Sequence, residues 1–336
     1  MAASVNDLLK ATARSFYLTL RVLPAQVRTQ IGLAYLLART TDTVADTGLV
    51  APEQRLEALR NLRKRISGQQ TDPLHFEALA RQQGSAAERV LLEQVESAVS
   101  ALNEFSEADQ KLIRTVLDVI TSGQELDLDR FAQANAGAVK ALATADELDD
   151  YTYRVAGCVG EFWTKLCRAH LFPKANLDDR SLLTDGIRFG KGLQLVNILR
   201  DLPADLASGR CYLPVEEMNK ANLRPEKLLD SENEKAFLVL FHNHLDMADE
   251  HLCAGWRYIN TLPYGQFRVR LACAWPLLLG VRTIARLRQA DVATLKRRVK
   301  VPRGEVYGIM TRSILACPIP GLWTRLAPKS WRQMLR

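Results

Sequence analysis

The sequence has no long apolar run and no apolar leader. Its longest mostly apolar stretch, Leu271–Val281, spans eleven residues, whereas a membrane-spanning helix needs about 20. At the N-terminus, Asp7, Lys10 and Arg14 interrupt the region in which a secretory signal would be apolar. We therefore expect a cytoplasmic protein whose membrane contact would be peripheral, at the inner membrane surface.

Cysteine and histidine are also scarce, with six and five residues. No two cysteines have the two-residue spacing of many metal and redox sites, so we expect reduced thiols in the interior. His242, His244 and His251 lie close together in the sequence. Because residues two apart on a helix point in different directions, we interpret them as a solvated helix face rather than a metal site.

Acidic residues are nearly absent from the C-terminal segment. From Thr294 onward there are ten lysines and arginines and one acid, Glu305, so this +7 chain carries +9 there and −2 over residues 1–293. Nucleic-acid-binding proteins usually spread basic residues over the folded body, and we expect no nucleic-acid partner. Trp323 and Trp331 give the segment a membrane-interfacial composition. Packing of the segment onto the protein body is the alternative.

Apolar residues recur every three or four positions, and period-two alternation is nearly absent. Leu56–Leu62 is an amphipathic helical stretch, Val90–Val95 begins another, and Ser106 is a helix start. The pattern predicts an all-α protein of ten or more helices. We expect one helical domain over residues 1–293, continued by the basic segment 294–336.

Two pairs of aspartates stand out because each closes a predicted helix. Asp42 and Asp46 form the first pair, and Asp201 and Asp205 form the second. Residues four apart lie on one helical face, and Mg²⁺ binds through a few carboxylates together with substrate phosphate oxygens. A single pair is common on solvated helices, so the surroundings of the second pair carry more weight.

A polar stripe precedes the second pair on the same predicted helix. Gln194 and Asn197 lie on the face of the aspartates, and the opposite face is apolar. Such a stripe on a buried helix is costly unless it lines a cavity or a metal site. Arg200 and Arg210 add cations that suit a diphosphate. Pro203 lies inside the pair and is expected to kink or end the helix.

Five ordered segments resemble the squalene/phytoene synthase family, the head-to-head prenyl-diphosphate synthases, over nearly the whole chain. These segments are Arg14–Phe16, Tyr35–Asp46, Tyr151–Gly160, Gln194–Asp201 and Asp205–Pro214. Each is weak alone, whereas five in order are specific.

Two further segments, Cys273–Pro276 and Val299–Gly304, resemble the squalene synthase branch. The chain ends without an apolar anchor segment, which leads us to expect a bacterial type. Four positions depart from the family pattern: Ala45, Ala204, Leu277 and Pro302. The first two bear on metal affinity, and the last two bear on the reductive step.

The resemblance implies an isoprenoid synthase helical bundle around a central cavity. It also implies two bound farnesyl diphosphates, Mg²⁺ and NADPH, with squalene as the product. The implied catalytic residues are Tyr151, Asp42, Asp46, Asp201 and Asp205, and the four aspartates are also the implied metal ligands. The implied substrate-binding residues are Arg14, Ser15, Phe16, Tyr35, Arg39, Val155, Val159, Gln194, Asn197, Arg200 and Arg210. The implied cofactor-binding residues are Lys300, Arg303 and Asn197.

Three alternatives stay open. The first is a phytoene, dehydrosqualene or presqualene-diphosphate synthase, which lacks the reductive step. The second is an inactive relative that assembles with other terpenoid enzymes, and the third is a helical scaffold. Gly190-Lys-Gly192 lies in a helical pattern with no preceding strand, so we do not interpret it as a nucleotide-binding loop.

Overall fold

In the computed structural model, residues 8–10, 12, 16–47, 50–135 and 137–334 are described, without the side chains of Phe16, Gln333 and Met334. Helices dominate these residues, and the all-α prediction is confirmed. The helices are α1 (Phe16–Val22), α2 (Ala25–Asp46), α3 (Pro52–Ser67), α4 (Glu77–Arg81), α5 (Ala86–Glu93), α6 (Val95–Ser100), α7 (Glu107–Arg130), α8 (Ala145–Thr152), α9 (Cys158–Leu171), α10 (Asp179–Ala207), α11 (Val215–Lys220), α12 (Glu234–Thr261), α13 (Phe267–Leu287), α14 (Val292–Lys296), α15 (Arg303–Ala316), α16 (Pro320–Thr324) and α17 (Lys329–Met334). Short 3₁₀ turns span Ala101–Glu104, Pro225–Lys227 and Ser231–Asn233, and a π turn spans Tyr153–Gly157.

The chain forms two compact units. The first contains residues 1–132 and 162–174, and the second contains residues 133–161 and 175–336. The basic C-terminal segment belongs to the second unit. The domain boundary after residue 293 and the central cavity stay predictions.

The first unit is organised around α2, which packs against α3 and α7. Apolar side chains such as Leu33, Leu36 and Leu37 are fully buried on this helix. α7 starts as predicted, because the Ser106 hydroxyl accepts a hydrogen bond from the Asp109 backbone amide. The helices of this unit thereby fix the direction in which α2 presents its one polar face.

The second unit is organised around α10, which packs against α12, α13 and the π turn. Glycines permit the closest approach. A Cβ on Gly190 would collide with the carbonyl of Ala156, and a Cβ on Gly160 would collide with the carbonyl of Gly186. Gly190 is therefore a helix-packing residue, which agrees with our interpretation that it does not belong to a nucleotide-binding loop.

A two-stranded parallel sheet supports the end of α10. Strand β1 (Lys140–Ala141) pairs with β2 (Arg210–Cys211), with Lys140 opposite Arg210. Gly209 precedes β2 with a φ of 83°, a left-handed conformation that glycine adopts without steric cost. The chain can therefore turn sharply from α10 into β2.

One local helix prediction was wrong, and of the two effects expected of Pro203, a kink or an end of the helix, the second does not occur. Val90 lies inside α5, which ends at Glu93, and a new helix begins at Val95. α10 also continues through Pro203 to Ala207, so the proline does not end the helix. Because proline only removes one hydrogen bond and displaces one carbonyl, packing of the long helix outweighs this cost.

Tertiary packing corrected two other predictions. His244 is buried, with Nδ1 3.0 Å from the carbonyl oxygen of Leu240, so it does not belong to a solvated face. Trp323 and Trp331 are also buried, and their indole N–H groups donate to Asn260 and Asp249. They anchor the C-terminal segment to its unit rather than contacting a membrane.

All six cysteines are buried and free of disulfides, as predicted. None of the described helices combines the length and the apolar composition that a membrane span requires.

Candidate active site

The polar face of α2 carries the first aspartate pair. Tyr35, Arg39, Asp42 and Asp46 follow one another at intervals of four, three and four residues, so they lie on one side of the helix. These four side chains are exposed or half-buried, whereas most of their neighbours in the last three turns of α2 are buried. The sequence prediction of one functional face is therefore supported by the burial pattern.

Arg39 holds two carboxylates at once. Its guanidinium pairs with Asp42 one turn along the helix, and its Nη2 lies 2.5 Å from Oε1 of Glu88 on α5. The pKa of Arg39 is raised: burial opposes this shift, but the charges of Asp42 and Glu88 outweigh burial. Arg39 therefore remains a fixed cation beside the aspartates. Glu88 was missed in the sequence because its contact with Arg39 is long-range.

The two carboxylates of the first pair repel each other. Exclusion of water by the surrounding protein, together with the charge of Asp46, raises the pKa of Asp42 to about 6. Arg39 acts in the opposite direction. Since Asp42 retains 45% of its side-chain exposure, a cation from solvent can reach the carboxylate. A divalent cation would relieve the repulsion between the two aspartates.

Side chains from outside α2 fix the end of the helix that carries Asp46. Nη1 of Arg55 donates to the carbonyl oxygen of Ala45 at 2.9 Å, and the amide of Gln83 donates to the hydroxyl of Thr47 at 2.8 Å. The first bond satisfies a carbonyl at the helix C-terminus that otherwise lacks an intrahelical partner, and the second holds Thr47, whose hydroxyl donates to the carbonyl oxygen of Thr43. Ala45, one of the departures from the family pattern, is buried, so its side chain faces the interior.

The second pair lies near the end of α10 and is surrounded by arginines. Arg200 contacts Asp201 through Nε, which lies 3.1 Å from Oδ1, and through Nη2. Nη2 of Arg298 lies 3.5 Å from the same Oδ1. Arg298 was missed in the sequence because it is one of several basic residues in the same stretch. Its backbone, unlike that of its basic neighbours, is left-handed, with a φ of 61°.

The stretch that follows Asp205 returns the chain to the same region. Burial raises the pKa of the Cys211 thiol to about 12, and the charge of Asp205 adds to this shift. Nε of Arg210 donates to the hydroxyl of Ser208 at 3.3 Å. Arg210 begins β2 just after the end of α10 that carries Asp205, and a shared role of the two residues stays a prediction.

Tyr151 on α8 is buried and stacks on Tyr212, with ring centroids 4.6 Å apart and an interplanar angle of 23°. Tyr212 directly follows β2 and was absent from the predicted site. It lies inside the segment Asp205–Pro214, which carries part of the family resemblance. Its contact with Tyr151 is long-range and could not be inferred from the sequence. The stacked rings place an aromatic surface close to β2.

A π turn directly follows α8. The amide of Cys158 donates to the carbonyl of Tyr153, five residues earlier, and such single π turns are frequent at functional sites. The turn divides the small-residue stretch into two sides. Ala156 and Gly157 pack on α10, whereas Val155 is half-buried and Val159 is 38% exposed. Val155 and Val159, two of the predicted substrate-binding residues, therefore lie away from the side that packs on α10.

The polar stripe on α10 is present as predicted. Gln194 and Asn197 are half-buried, and Nδ2 of Asn197 lies 3.5 Å from Oε1 of Gln194. Leu195 and Leu199, on the other side, are buried. The two amides thus lie on the helix face that leads to Asp201.

Two of the three predicted cofactor residues lie near the start of α15, and the third, Asn197, lies on α10. Lys300 and Arg303 are exposed, and Arg298 connects this stretch to Asp201. Their charge suits a cofactor phosphate. Arg14, Ser15 and the side chain of Phe16 lie outside the described residues.

Each aspartate pair suits Mg²⁺ by its donor chemistry. Among residues 16–47, 50–135 and 137–334, no cluster of three or more histidine, cysteine or acidic side chains is arranged to hold a metal ion. Each pair offers two carboxylates, and Mg²⁺ binds through a few carboxylates completed by phosphate oxygens and water. Arginines beside each pair can hold the same phosphates.

Among solved structures, the chain is similar to the complex of TcSQS with the ligand E5700, with a TM-score of 0.76 and 23% identity over 95% of this chain and 87% of that chain. It is also similar to a dehydrosqualene synthase in complex with a ligand, with a TM-score of 0.65 and 19% identity over 94% and 96% of the two chains. These similarities establish the isoprenoid synthase fold.

Among characterised relatives, the squalene synthase ERG9 of Saccharomyces cerevisiae is 25% identical over 91% of this chain and 66% of its own length. The bifunctional lycopene cyclase/phytoene synthase of Gibberella fujikuroi is 28% identical over 89% of this chain and 50% of its own length. The chain thus spans about half to two thirds of these relatives. The squalene/phytoene synthase family model matches residues 9–305, and the chain belongs to the squalene/phytoene synthase family.

Proposed function

We propose that this chain is a squalene synthase. In the proposed reaction, two farnesyl diphosphates condense head to head (1′–1) to presqualene diphosphate, which is then rearranged and reduced by NADPH to squalene. The family consists of prenyltransferases of isoprenoid biosynthesis. The choice of squalene as product is the proposal.

The observation that carries the diphosphate chemistry of the proposal is the contact of each aspartate pair with arginine, and the choice of squalene rests on the segments Cys273–Pro276 and Val299–Gly304. Arg39 contacts Asp42, and Arg200 and Arg298 contact Asp201. A diphosphate leaves only if its developing negative charge is neutralised. Mixed clusters of carboxylates and guanidinium groups can do this, since the carboxylates hold Mg²⁺ and the guanidinium groups bind phosphate oxygens directly.

The first half-reaction follows from these groups. Bound Mg²⁺ supplies Lewis acidity toward the diphosphate. The arginines beside each aspartate pair, Arg39 in the first unit and Arg200 and Arg210 in the second, would bind diphosphate oxygens as the C–O bond of one substrate breaks, which leaves an allylic cation. The alkene of the second substrate attacks this cation, and loss of one proton closes the cyclopropane of presqualene diphosphate. The stacked rings of Tyr151 and Tyr212 offer a π surface that stabilises the cation without attacking it.

In the second half-reaction the remaining C–O bond would break, and bound NADPH would supply the hydride that reduces the rearranged cation. Lys300, Arg303 and Asn197 would hold this cofactor, with the two cations at its phosphates. The exposure of both cations supports this role. Leu277, one of the departures from the family pattern, is fully buried, so it lies in the core and does not oppose cofactor binding.

The alternative is a synthase that stops at presqualene diphosphate or forms dehydrosqualene or phytoene. Pro302 favours it, because this residue lies at the start of α15 between the two proposed cofactor cations and supplies neither charge nor an N–H donor. The relatives do not decide between these products, because squalene and phytoene synthases match at similar identity.

Incubation of the purified chain with labelled farnesyl diphosphate and Mg²⁺, with and without NADPH, tests the proposal. Squalene formed only with NADPH supports it. Presqualene diphosphate or dehydrosqualene formed under both conditions excludes the reductive step, and phytoene formed from geranylgeranyl diphosphate identifies the other branch.

The aspartates are tested separately by Asp42→Ala and Asp201→Ala. Each is expected to reduce turnover by about a thousandfold or more, while circular dichroism shows an intact fold. Asp129→Ala serves as the matched control, since Asp129 is an exposed aspartate of α7. Activity close to that of the control in either variant would refute the metal assignment.

A further inference from the structure

Exposed apolar side chains concentrate near the C-terminus of the second unit. Of twelve exposed large apolar residues within the described part of the chain, seven lie between Tyr264 and Leu322. Five of the seven, here called the C-terminal apolar patch, are 42–66% exposed. They are Tyr264, Ile314, Leu315, Ile319 and Leu322.

Contacts around Cys317 hold this patch together. The hydroxyl of Tyr264 donates to the carbonyl oxygen of Cys317 at 3.3 Å, which joins the loop before α13 to the turn after α15. Beneath the surface, Trp323 stacks on Trp256 with ring centroids 5.4 Å apart. The guanidinium carbon of Arg270 lies 5.0 Å from the Trp323 ring centroid. The patch therefore rests on a rigid aromatic base.

The outward side of α15 is unlike that of an ordinary surface helix. Its inner side is buried at Ser313 and Ala316, and the indole N–H of Trp275 donates to the Ser313 hydroxyl at 3.0 Å. Its outer side carries Ile314 and Leu315, both more than half exposed. Surface helices usually place polar residues on their outer side, and contiguous apolar exposure indicates an interaction surface.

Cations without acidic partners share the C-terminal segment with the patch. Within the described residues, the side chains of Arg312, Arg325 and Lys329 form no ion pair. The only acid after Thr294 is Glu305, and Arg282 and Arg286 already occupy its carboxylate. The segment that carries most of the patch therefore has an excess of positive charge.

A cleft of about 390 Å³ lies next to these cations. Leu278, Val281 and Ile309 contribute apolar side chains to it, and Arg312 and Arg325 contribute guanidinium groups. Glu305 also lines the cleft, and its carboxylate is paired with Arg282 and Arg286. An apolar surface bordered by arginines suits a phosphate attached to a hydrocarbon chain.

We propose that the C-terminal apolar patch docks on the surface of an anionic phospholipid bilayer. Apolar side chains would enter the region between headgroups and acyl chains, while the surrounding cations contact lipid phosphates. A second copy of the chain fits less well, because a two-fold interface places the same patch on both sides and would bring the same unpaired cations together. The proposal depends on the surface alone and does not require the proposed squalene synthase activity.

Co-sedimentation of the full chain with vesicles tests the proposal. We expect binding to vesicles containing phosphatidylglycerol and at least about tenfold weaker binding to pure phosphatidylcholine, with affinity falling as salt is added. Leu315→Gln is expected to weaken binding about fivefold to tenfold by removing insertable apolar surface. Arg312→Gln is expected to weaken it about fivefold and to reduce the salt dependence.

Val239→Gln is the matched control, because Val239 on α12 is 62% exposed and lies outside the patch. It should bind as the unchanged protein does. Equal binding of Leu315→Gln and Val239→Gln would overturn the proposal, as would equal affinity for both lipids. Light scattering that shows a dimer dissociated by Leu315→Gln would also overturn it, since a second copy would then cover the patch. None of these outcomes depends on farnesyl diphosphate turnover.

Discussion

Nη2 of Arg298 lies 3.5 Å from Oδ1 of Asp201, and the backbone of Arg298 occupies the left-handed region with a φ of 61°. This region costs about 1–2 kcal/mol for a residue with a Cβ, and such strain concentrates at ligand-binding and active sites. Arg200 contacts the same carboxylate. Two arginines therefore compensate the charge of the proposed metal ligand before a metal binds.

Replacement of Arg298 by Gln is expected to tighten Mg²⁺ binding in the absence of substrate. It removes a positive charge that competes with the metal for Asp201. Because the Arg298 side chain is 60% exposed, solvent screening limits the effect to about 1 kcal/mol, or about fivefold in affinity. Titration calorimetry with Mg²⁺ measures the change.

Arg297→Gln is the control for this prediction. It removes the same charge from the neighbouring exposed position, which has no ion pair within the described residues. Equal tightening in both variants would mean that net charge, rather than the contact with Asp201, controls the affinity.

Asp42 should make the metal-free protein less stable as pH rises. Its folded-state pKa of about 6 lies above the ordinary value of 3.8, so the folded state binds more protons between these values. The contribution of Asp42 to the free energy of unfolding is therefore most favourable below about pH 4. It becomes less favourable as the pH rises, until the pH exceeds about 6. Asp42→Asn should remove this loss and stabilise the metal-free protein at pH 7.5 by about 1 kcal/mol, after allowance for solvent screening.

Urea unfolding in the presence of a chelator, at pH 5 and pH 7.5, measures this effect. The difference between Asp42→Asn and the unchanged protein should be larger at pH 7.5. Asp46→Asn should move the transition to lower pH, because it removes the neighbouring charge that raises the Asp42 pKa. A pH-independent difference would show that Asp42 ionises normally.

Tyr212 is expected to position Tyr151 through ring stacking. Tyr212→Phe retains the ring and should keep kcat within about threefold, whereas Tyr212→Ala loses a stacked pair that contributes about 0.5–1.5 kcal/mol. We expect kcat for Tyr212→Ala to fall about tenfold with a small change in KM, since the stacking fixes the orientation of Tyr151. Tyr151→Phe should lower kcat about a hundredfold or more if its hydroxyl takes part in proton transfer.

Steady-state kinetics of the three variants separates positioning from folding. If Tyr212 contributed only to stability, its two variants would differ in the amount of folded protein. They would then have the same activity per folded molecule. The ring-retaining variant must therefore outperform the alanine variant per folded molecule for the positioning role to hold.

Local sequence signals predicted the elements that depend on neighbouring residues. The end of α2 at Asp46 and the start of α7 after Ser106 follow from helix periodicity and capping. The polar stripe of Gln194 and Asn197 follows from helical spacing. These features involve residues within a few turns of one another, so the sequence alone contains the relevant interactions.

Features that depend on distant residues were not predictable in this way. The break between α5 and α6 at Gln94, the burial of His244 and the contact of Arg298 with Asp201 all depend on packing between separate elements. The burial of Trp331 is of the same kind. An aromatic residue in a basic segment can face either solvent or core, so the sequence alone did not show that the tryptophans are buried. The proposed membrane surface is therefore the C-terminal apolar patch and not the tryptophans.

The contact between α10 and the π turn leads to the last prediction. A Cβ at Gly190 would lie inside the van der Waals distance of the Ala156 carbonyl oxygen and about 3.0 Å from Cα of Gly157. Both obstacles are backbone atoms, so relief requires the two segments to separate. Gly190→Ala should therefore lower the free energy of unfolding by about 2–4 kcal/mol, although alanine is the better helix former. It should also lower activity per folded molecule, because Val155 moves with the π turn.

Urea unfolding at 25 °C, followed by circular dichroism, measures the change. Gly308→Ala is the matched control: Gly308 also lies within a helix, α15, and a Cβ there meets no atom within 4 Å. This control should gain up to about 1 kcal/mol from helix propensity. Opposite signs for the two substitutions would identify backbone contact, rather than glycine content, as the reason that α10 needs Gly190. Stabilisation in both would mean that α10 and the π turn can separate without cost.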